Sequence, residues 1–175
     1  MGNKNWETPI DIFKELDDEF HFTIDVAASH ENALRTLHCT IDGTYTFSNS
    51  PESTHDHPVK VDDRNGLEFP WDEHRVWCNP PYDSTLPQWL AKHNEPQLVV
   101  YLLPPTRDSK WYRKYIWGST QKVMLQREKG LWMCSRTLAG EFEVREYAGR
   151  IRFNLNGKPG LAPRQGNTLA IWRNK

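Results

Sequence analysis

The spacing of apolar residues along the chain alternates between helical and extended periods. After Thr8-Pro9, apolar residues recur every three or four positions from Ile10 to Phe20, which predicts an amphipathic helix. The hydroxyl of Thr8 is expected to cap this helix, and Pro9 suits its first position. Residues 22–27 alternate and then become apolar, which predicts a buried strand directly after the helix.

The rest of the chain continues this alternation of strands and helices. Leu98–Leu103 is a continuous apolar run stopped by Pro104-Pro105, which is typical of a central parallel strand. Residues 43–62 are polar and predict a surface insertion. Further helices are predicted at 29–37, at 86–93 and from Asp108 or Ser109 to Gly118, and further strands at 76–78, 123–126, 151–153 and 168–172. This order of elements favours an open α/β sheet.

Length and composition narrow the class of protein. The chain has 175 residues, so we expect a single domain over 1–175. No apolar stretch is long enough to span a membrane. The first residues show no secretory signal, and Trp6 stands where myristoylation requires Ser or Thr. Three widely spaced cysteines predict neither a disulfide framework nor a metal site, and they favour a cytoplasmic location.

Charge is divided unequally along the chain. Residues 1–104 contain 7 basic and 18 acidic residues, for a net charge of −11, whereas residues 105–175 contain 15 basic and 5 acidic residues, for a net charge of +10. A basic region of this kind is typical of a protein that binds a polyanion. The alternative is that the two parts neutralise each other within one fold.

The segment with the most specific chemistry is Asn79-Pro80-Pro81-Tyr82, directly after the strand predicted at 76–78. The prolines fix their own φ angles and push the preceding residues towards extended conformations, so we expect a rigid ledge at a strand end. The amide oxygen of Asn79 and the carbonyl of Pro80 can accept two hydrogen bonds from an amino group, while Tyr82 stacks on the ring that carries it. An ordinary loop is the alternative.

Asp25 is a second candidate for a binding residue. It lies in the first predicted strand and is followed by Ala27-Ala28-Ser29. Ligands of α/β sheets bind beyond the carboxyl ends of the strands, where small residues allow close approach and the next helix offers free N–H groups. Asp25 could therefore neutralise the ammonium group of a ligand. The alternative is that it caps a helix.

Three further patterns carry less information. In Gly149-Arg150-Ile151-Arg152-Phe153 the two arginines would share one face of a strand, where they contact phosphates or a substrate, or else lie on a solvated edge. His55-Asp56-His57 lacks further metal ligands at a suitable spacing, so we expect no metal. Cys78 has no paired base and is expected to be a buried strand residue rather than a nucleophile.

Five of these patterns occur together in a particular order. They are Trp6-x-Thr8-Pro9, Asp25-x-Ala27-Ala28, Trp77-Cys78-Asn79-Pro80-Pro81-Tyr82, Leu102-Leu103-Pro104 and Gly149-Arg150-Ile151-x-Phe153. Over most of the chain, this order and spacing resembles the phage and prophage DNA N-6-adenine methyltransferase family, also called the Dam-like phage family. The Asn-Pro-Pro-Tyr element is shared with other amino methyltransferases, whereas the set of five is more specific.

The resemblance implies a fold and a cofactor. The fold would be the class I methyltransferase sandwich, a Rossmann-like α/β fold with a mostly parallel seven-stranded sheet and a late antiparallel hairpin. The cofactor would be S-adenosylmethionine, with Asp25 contacting its amino group directly or through water. The cofactor-binding residues that the resemblance implies are Trp6, Thr8, Pro9, Asp25, Ala27, Asn32 and Asp63, of which the first three would border the methionine end.

The acid near the adenosine has two candidates. The family tends to place an Asp before Gly-Leu, ahead of a Trp that leads to the ledge. Here Asp63 precedes Gly66-Leu67 and Trp71, which fits that role. Asp42 is the rival, because the insertion expected at 43–62 splits this region. The Phe-x-Gly-x-Gly cofactor loop of many adenine methyltransferases is missing from the sequence, as is usual in the resembled family.

The activity that the resemblance implies is methyl transfer to the N6 amino group of adenine in double-stranded DNA. The catalytic residues would be Asn79, Pro80, Pro81 and Tyr82. Phosphate contacts are expected from Arg107, Lys110, Arg113, Lys114, Arg150 and Arg152, and sequence specificity from loops within 130–148. The biological role would be protection of phage DNA against restriction in the bacterial cytoplasm.

Two other functions remain open at this point. The same ledge suits an amino methyltransferase that acts on RNA or on a protein glutamine. The fold would also suit a catalytically silent DNA-binding module, although an intact ledge together with Asp25 argues against such a loss of activity.

Overall fold

The computed structural model describes residues 6–29, 32–35, 37–40, 65–117, 123–129, 132–137, 141–147, 149–155, 158–160 and 166–174. The predictions that concern Asp42, Asp63, His55-Asp56-His57 and the 43–62 insertion lie outside these residues.

Helices and strands alternate through the first part of the chain and strands dominate the second. The helices are α1 (Ile10–Phe20) and α2 (Leu86–Ala91), with a 3₁₀ turn at Lys92–Asn94 and a π-helix at Tyr112–Trp117. The strands are β1 (Trp6–Glu7), β2 (Ile24–Ala28), β3 (His38–Thr40), β4 (Arg75–Cys78), β5 (Leu98–Leu103), β6 (Val123–Lys129), β7 (Trp132–Thr137), β8 (Phe142–Tyr147), β9 (Asn154–Leu155), β10 (Lys158–Pro159) and β11 (Thr168–Arg173).

Eight of these strands form the central sheet in the order β3-β2-β4-β5-β11-β8-β7-β6. The first four strands are mutually parallel. β11 is antiparallel to both β5 and β8, and β7 is antiparallel to both β8 and β6, so β8 and β6 run in the same direction as the first four. Six of the eight strands therefore share one direction. The prediction of a mostly parallel α/β sheet, Rossmann-like at this coarse level, is confirmed, but the sheet has eight strands rather than the seven that the resemblance implies.

The sheet is covered on both faces. Along β5, Leu98, Val100 and Leu102 pack with α1, whereas Val99, Tyr101 and Leu103 pack with α2 and the π-helix. Successive strand residues point to opposite faces, so the two apolar clusters are the two sides of one sheet. All six residues of β5 are buried, which explains its continuous apolar sequence.

Helix α1 forms where its apolar stripe predicts it. Ile12, Phe13, Leu16 and Phe20 are buried against the sheet. The helix ends at His21, whose positive φ of 50° and N–H bond to the Asp17 carbonyl close its last turn. Its start differs from the prediction, because Pro9 occupies the N-cap position and no side chain caps the helix.

A buried ion-pair network ties α1 to the distal half of the sheet. Arg145 on β8 is 1% exposed, and it donates to both carboxylate oxygens of Glu19 on α1, at 2.6 and 2.7 Å. Its Nε donates to Glu143 at 2.8 Å, and Glu143 also accepts from Arg173 on β11. Buried charges require such mutual pairing, so α1, β8 and β11 are held in one arrangement.

The helix predicted at 29–37 is wrong for the described part of that segment. Residues 32, 34, 35 and 37 form turns and bends, and residue 33 has no regular structure. Asn32 accepts a hydrogen bond from the Ser29 N–H, and Asp25 accepts one from the Leu34 N–H. Side chains that bind backbone N–H groups compete with helical bonds, which explains the irregular path.

The strand predicted at 151–153 is also wrong. These residues are not part of a strand and lead into β9, which belongs to a separate small sheet of order β1-β9-β10. Ile151 and Phe153 are buried in the cluster that contains α1. Their alternating pattern therefore reflects packing under the helix rather than strand pairing. The predicted strand at 123–126 is confirmed as β6, although it extends to Lys129.

In the part of the chain that the structure describes, no helix is both long and apolar enough to cross a membrane.

Candidate functional site

The carboxyl ends of β2, β4 and β5 meet at one edge of the sheet. Strands β2 and β4 are parallel, with Asp25 in register with Trp77, and Cys78 of β4 is in register with Tyr101 of β5. The Asn79-Tyr82 segment follows β4 directly, so it lies at this edge beside the residues that follow β2. This is the location at which α/β sheets bind their ligands.

The amide of Asn79 is held at both ends. Its Nδ2 donates to Thr8 Oγ1 at 3.3 Å, and its Oδ1 accepts from the Tyr82 hydroxyl at 3.2 Å. Thr8 is only 5% exposed. The prediction that Thr8 caps α1 is therefore wrong, because its hydroxyl contacts the ledge instead. The entry to α1 and the end of β4 are joined at the site.

Tyr82 turns its hydroxyl inward and its ring outward. The hydroxyl lies 3.1 Å from the Leu102 carbonyl, to which it can also donate, while the residue as a whole is 46% exposed. Burial of the hydroxyl, and secondarily the nearby Cys78 thiol, raise the pKa of Tyr82. The hydroxyl is thus a neutral donor, and the exposed ring surface is free to stack on a planar group.

Asp25 is a buried acid at the same edge. It is 3% exposed and accepts hydrogen bonds from the N–H groups of Ala27, at 3.3 Å, and Leu34, at 3.2 Å. Burial raises the pKa of Asp25 to about 6, against the opposing effect of these two bonds and of Arg35. A nearby cation stabilises the ionised form of a carboxyl that burial has deprived of water, so Asp25 suits a positively charged ligand group.

Cys78 is the last residue of β4 and directly precedes the ledge. Its thiol is free and buried. Burial, and secondarily the charge of Asp25, raise the pKa of Cys78 well above its ordinary value. A protonated buried thiol is a poor nucleophile.

The other residues expected to bind a cofactor are placed unequally. Ala27 is buried, Pro9 is half-buried at the start of α1, and Asn32 folds back on Ser29. The backbone of Trp6 pairs with Leu155 in the small sheet.

The turn after position 64 shows why glycine precedes Leu67. A Cβ atom on Gly66 would lie 1.8 Å from the Val26 carbonyl oxygen, so only glycine allows this approach to β2. Asn65 Oδ1 accepts from the Leu67 N–H at 2.9 Å, and the Trp71 ring N–H donates to the Gly66 carbonyl at 2.9 Å. The segment that follows Asp63 is thereby fixed against the strand that carries Asp25.

The six cations expected to contact phosphates are all exposed. Arg107 forms an ion pair with Glu146, which reduces its net charge at the surface. Lys110, Arg113 and Lys114 lie on the helical segment after β5, and Lys114 lies 4.8 Å from the centre of the Tyr115 ring. Arg150 and Arg152 flank the buried Ile151, so both side chains face solvent although the strand predicted there is missing.

A cavity of about 270 Å³ lies at the opposite edge of the sheet, where β4 and β5 begin. Its lining includes Arg75, Leu98 and Arg173, and it is separate from the candidate site. Among the described residues, no cluster of three or more His, Cys, Asp or Glu could hold a metal ion.

Sequence reasoning missed two contacts of the site. One is the hydrogen bond between Thr8 and Asn79. A hydroxyl just before a helix is the usual sign of a helix cap, so the sequence offers no reason to expect this contact. The other is the approach of Gly66 to β2, for which the glycine before Leu67 was the available signal.

No protein-family model matches the chain, and no curated protein matches it in sequence.

Proposed function

We propose that the chain is a DNA methyltransferase that transfers a methyl group from S-adenosylmethionine to the N6 amino group of adenine. The observation that carries the proposal is the doubly anchored amide of Asn79, which presents its oxygen beside the exposed ring of Tyr82. An acceptor next to a stacking surface suits an amino group on a planar base.

The residues at the end of β2 fit the cofactor. S-adenosylmethionine carries an ammonium group, and a buried carboxyl such as Asp25 gains a favourable partner when it meets one. The small residues Ala27 and Ala28 follow it at the end of β2, where both are buried. When bound, the cofactor supplies a methyl group on a positively charged sulfur, which leaves with the bonding electron pair.

The ledge would activate and position the target amino group. Its lone pair is conjugated with the ring, so it is a weak nucleophile. Asn79 Oδ1 and the Pro80 carbonyl would accept hydrogen bonds from both N–H groups of the amine and so direct its lone pair towards the methyl group. The nitrogen would gain the methyl group and lose one proton to solvent. Positioning and electrostatics would supply most of the rate enhancement.

A base within a duplex must be extruded to reach the ledge, at a cost of a few kcal/mol. Stacking on the Tyr82 ring would return about 1–3 kcal/mol of this. The exposed cations Lys110, Arg113 and Lys114 would bind phosphates, which favours a nucleic acid over a protein substrate.

The test is to incubate the chain with radiolabelled S-adenosylmethionine and, separately, duplex DNA, RNA and a mixed protein substrate. Label in N6-methyladenine from DNA is expected. Asn79→Ala should abolish transfer while cofactor binding persists, and Asn94→Ala, an exposed asparagine in the 3₁₀ turn, is the matched control. Label only in RNA or protein would reassign the substrate, and absence of cofactor binding in a titration would support the silent module.

A further inference from the structure

We propose that the cavity at the edge of the sheet where β4 and β5 begin binds a small molecule through a phosphate or carboxylate group, held by Arg75 and Arg173. The cavity has a volume of about 270 Å³, close to the lower end of the range of about 300–1,000 Å³ for small-molecule sites. The residues that line it are Glu19, Phe20, Arg75, Gln97, Leu98 and Arg173. This proposal does not depend on the function proposed above.

The register of three strands brings the two arginines to one face of the sheet. Arg75 of β4 and Arg173 of β11 are both in register with Leu98, which lies between them on β5. Residues in register on neighbouring strands point to the same face, and Leu98 packs on the face that α1 covers. With strands about 4.8 Å apart, the two backbone positions are about 10 Å apart, so the two long side chains can meet one group between them.

Both guanidinium groups lie against Phe20, the last residue of α1. Arg75 Nε donates to the Phe20 carbonyl at 2.6 Å, and the guanidinium carbon of Arg173 lies 5.5 Å from the centre of the Phe20 ring. Because Nε is bound, the two terminal nitrogens of Arg75 remain as a planar pair of donors, which suits two parallel hydrogen bonds to an oxyanion. Among the described residues, these two nitrogens have no hydrogen-bond partner.

The charges around the cavity favour an anion. Arg145 donates to both carboxylate oxygens of Glu19. Glu143 accepts from both Arg145 and Arg173. Two carboxylates are thus shared by two arginines, whereas Arg75 forms no ion pair with any residue that the structure describes. A half-buried cation without a counterion gains a charge-assisted partner when an oxyanion binds.

The first experiment titrates the protein, labelled with ¹⁵N-arginine, with sodium phosphate, sodium acetate or sodium chloride at constant ionic strength. The side-chain N–H signal of Arg75 should shift and saturate with phosphate, with acetate or with both, and not with chloride, which cannot accept two parallel hydrogen bonds. The anion that saturates the signal identifies the ligand group as phosphate or carboxylate. Equal shifts with all three salts, or no shift with any of them, would overturn the proposal.

The second experiment removes the charge. Arg75→Gln should raise the dissociation constant of the saturating anion by about tenfold or more, as expected for the loss of charged hydrogen-bond donors, with the Arg173 side-chain signal as the readout. Arg113→Gln removes the same charge from an exposed position on the helical segment after β5, and it is the matched control, with an unchanged constant. An equal loss of affinity in both variants would overturn the proposal, because it would assign binding to general surface charge.

The third experiment leaves both arginines and their contacts in place. Gln97 lines the cavity and has an exposed side chain, so its replacement is compatible with the fold even if Arg75→Gln does not fold. Gln97→Glu should weaken anion binding several-fold and Gln97→Lys should strengthen it, because the two variants place opposite charges beside the bound group. Equal dissociation constants in the two variants would overturn the proposal.

A duplex oligonucleotide is the last probe, because DNA also carries phosphate groups. Saturation of the Arg75 signal by inorganic phosphate or acetate, with no shift on addition of the duplex, is expected for a cavity that takes a small molecule. Saturation by the duplex but by neither small anion would overturn the proposal, since the two arginines would then contact the DNA backbone.

Discussion

Replacement of Asp25 by asparagine should abolish a loss of stability that the wild type shows as pH rises from about 3.8 to about 6. Burial raises the pKa of Asp25 from 3.8 to about 6. Each tenfold change in proton affinity corresponds to about 1.4 kcal/mol, so the ionised carboxylate costs the folded state about 3 kcal/mol. Asparagine bears no charge, so it removes this pH-dependent cost. It has a single acceptor oxygen, whereas the two oxygens of Asp25 accept from the N–H groups of Ala27 and Leu34, so a constant loss of about 1–3 kcal/mol for one unpaired N–H is expected at every pH.

The sign follows from proton binding in the two states. Below a pH of about 3.8 the carboxyl is protonated in both the folded and the unfolded chain, and no cost arises. As pH rises towards about 6, the unfolded chain loses the proton while the folded chain keeps it, so the free energy of unfolding falls. Above that pH the full cost is present.

The assay is urea unfolding of wild type and Asp25→Asn, followed by circular dichroism across this pH range. The stability of the variant relative to wild type should rise by about 3 kcal/mol across this range and level off above a pH of about 6, from a starting point below wild type. Asp72→Asn, at an exposed position, is the matched control and should show no such growth. A stability difference between variant and wild type that is constant with pH would refute the reasoning. The variant should also bind S-adenosylmethionine more weakly, because it lacks the carboxylate that would pair with the ammonium group.

Three further predictions concern the turn, the ion network and the cations. Gly66→Ala should lower the free energy of unfolding by about 3 kcal/mol or more, because its Cβ would clash with the Val26 carbonyl, whereas Gly149→Ala, with its nearest contact at 3.6 Å, should be neutral in the same urea titration. Arg145→Met should lower the free energy of unfolding by about 3–5 kcal/mol, because Glu143 stays buried with fewer partners. The double variant Arg145→Met/Glu143→Leu should recover part of that loss. Equal stability of the single and double variants would count against the network. Neutralising Lys110 and Arg113 should reduce the slope of log affinity for DNA against log salt concentration by about 2. An unchanged slope would place the DNA-binding surface elsewhere. Lys14→Gln on α1 is the control.

The sequence predicts the central strand and the first helix well, because the order of neighbouring residues is enough to determine both. The Leu98–Leu103 run is bounded by prolines and has apolar side chains on both faces, so both its extended shape and its burial follow from neighbouring residues. Helix α1 is predicted equally well by its stripe. The charge difference between the two parts of the chain likewise places the exposed cations after β5.

The elements that were predicted wrongly depend on distant contacts. The helix predicted at 29–37 does not form in the described residues, where the Leu34 N–H donates to Asp25, nine residues earlier on β2. The alternation at 151–153 arises from burial under α1 and not from strand pairing. Thr8 has the signature of a cap, and only its contact with Asn79 reveals another use. Local periodicity contains no information on which of two partners a polar group chooses.

The position of β11 in the sheet has a consequence for synthesis of the chain. β11 lies between β5 and β8 and hydrogen-bonds to both, yet it follows both of them in sequence. While the chain leaves the ribosome, β5, whose six residues are all buried in the finished fold, therefore has an unpaired edge until β11 emerges. An exposed apolar edge pairs readily with other chains. The interval between translation of β5 and of β11 thus sets the period of greatest aggregation risk, independently of how stable the finished fold is.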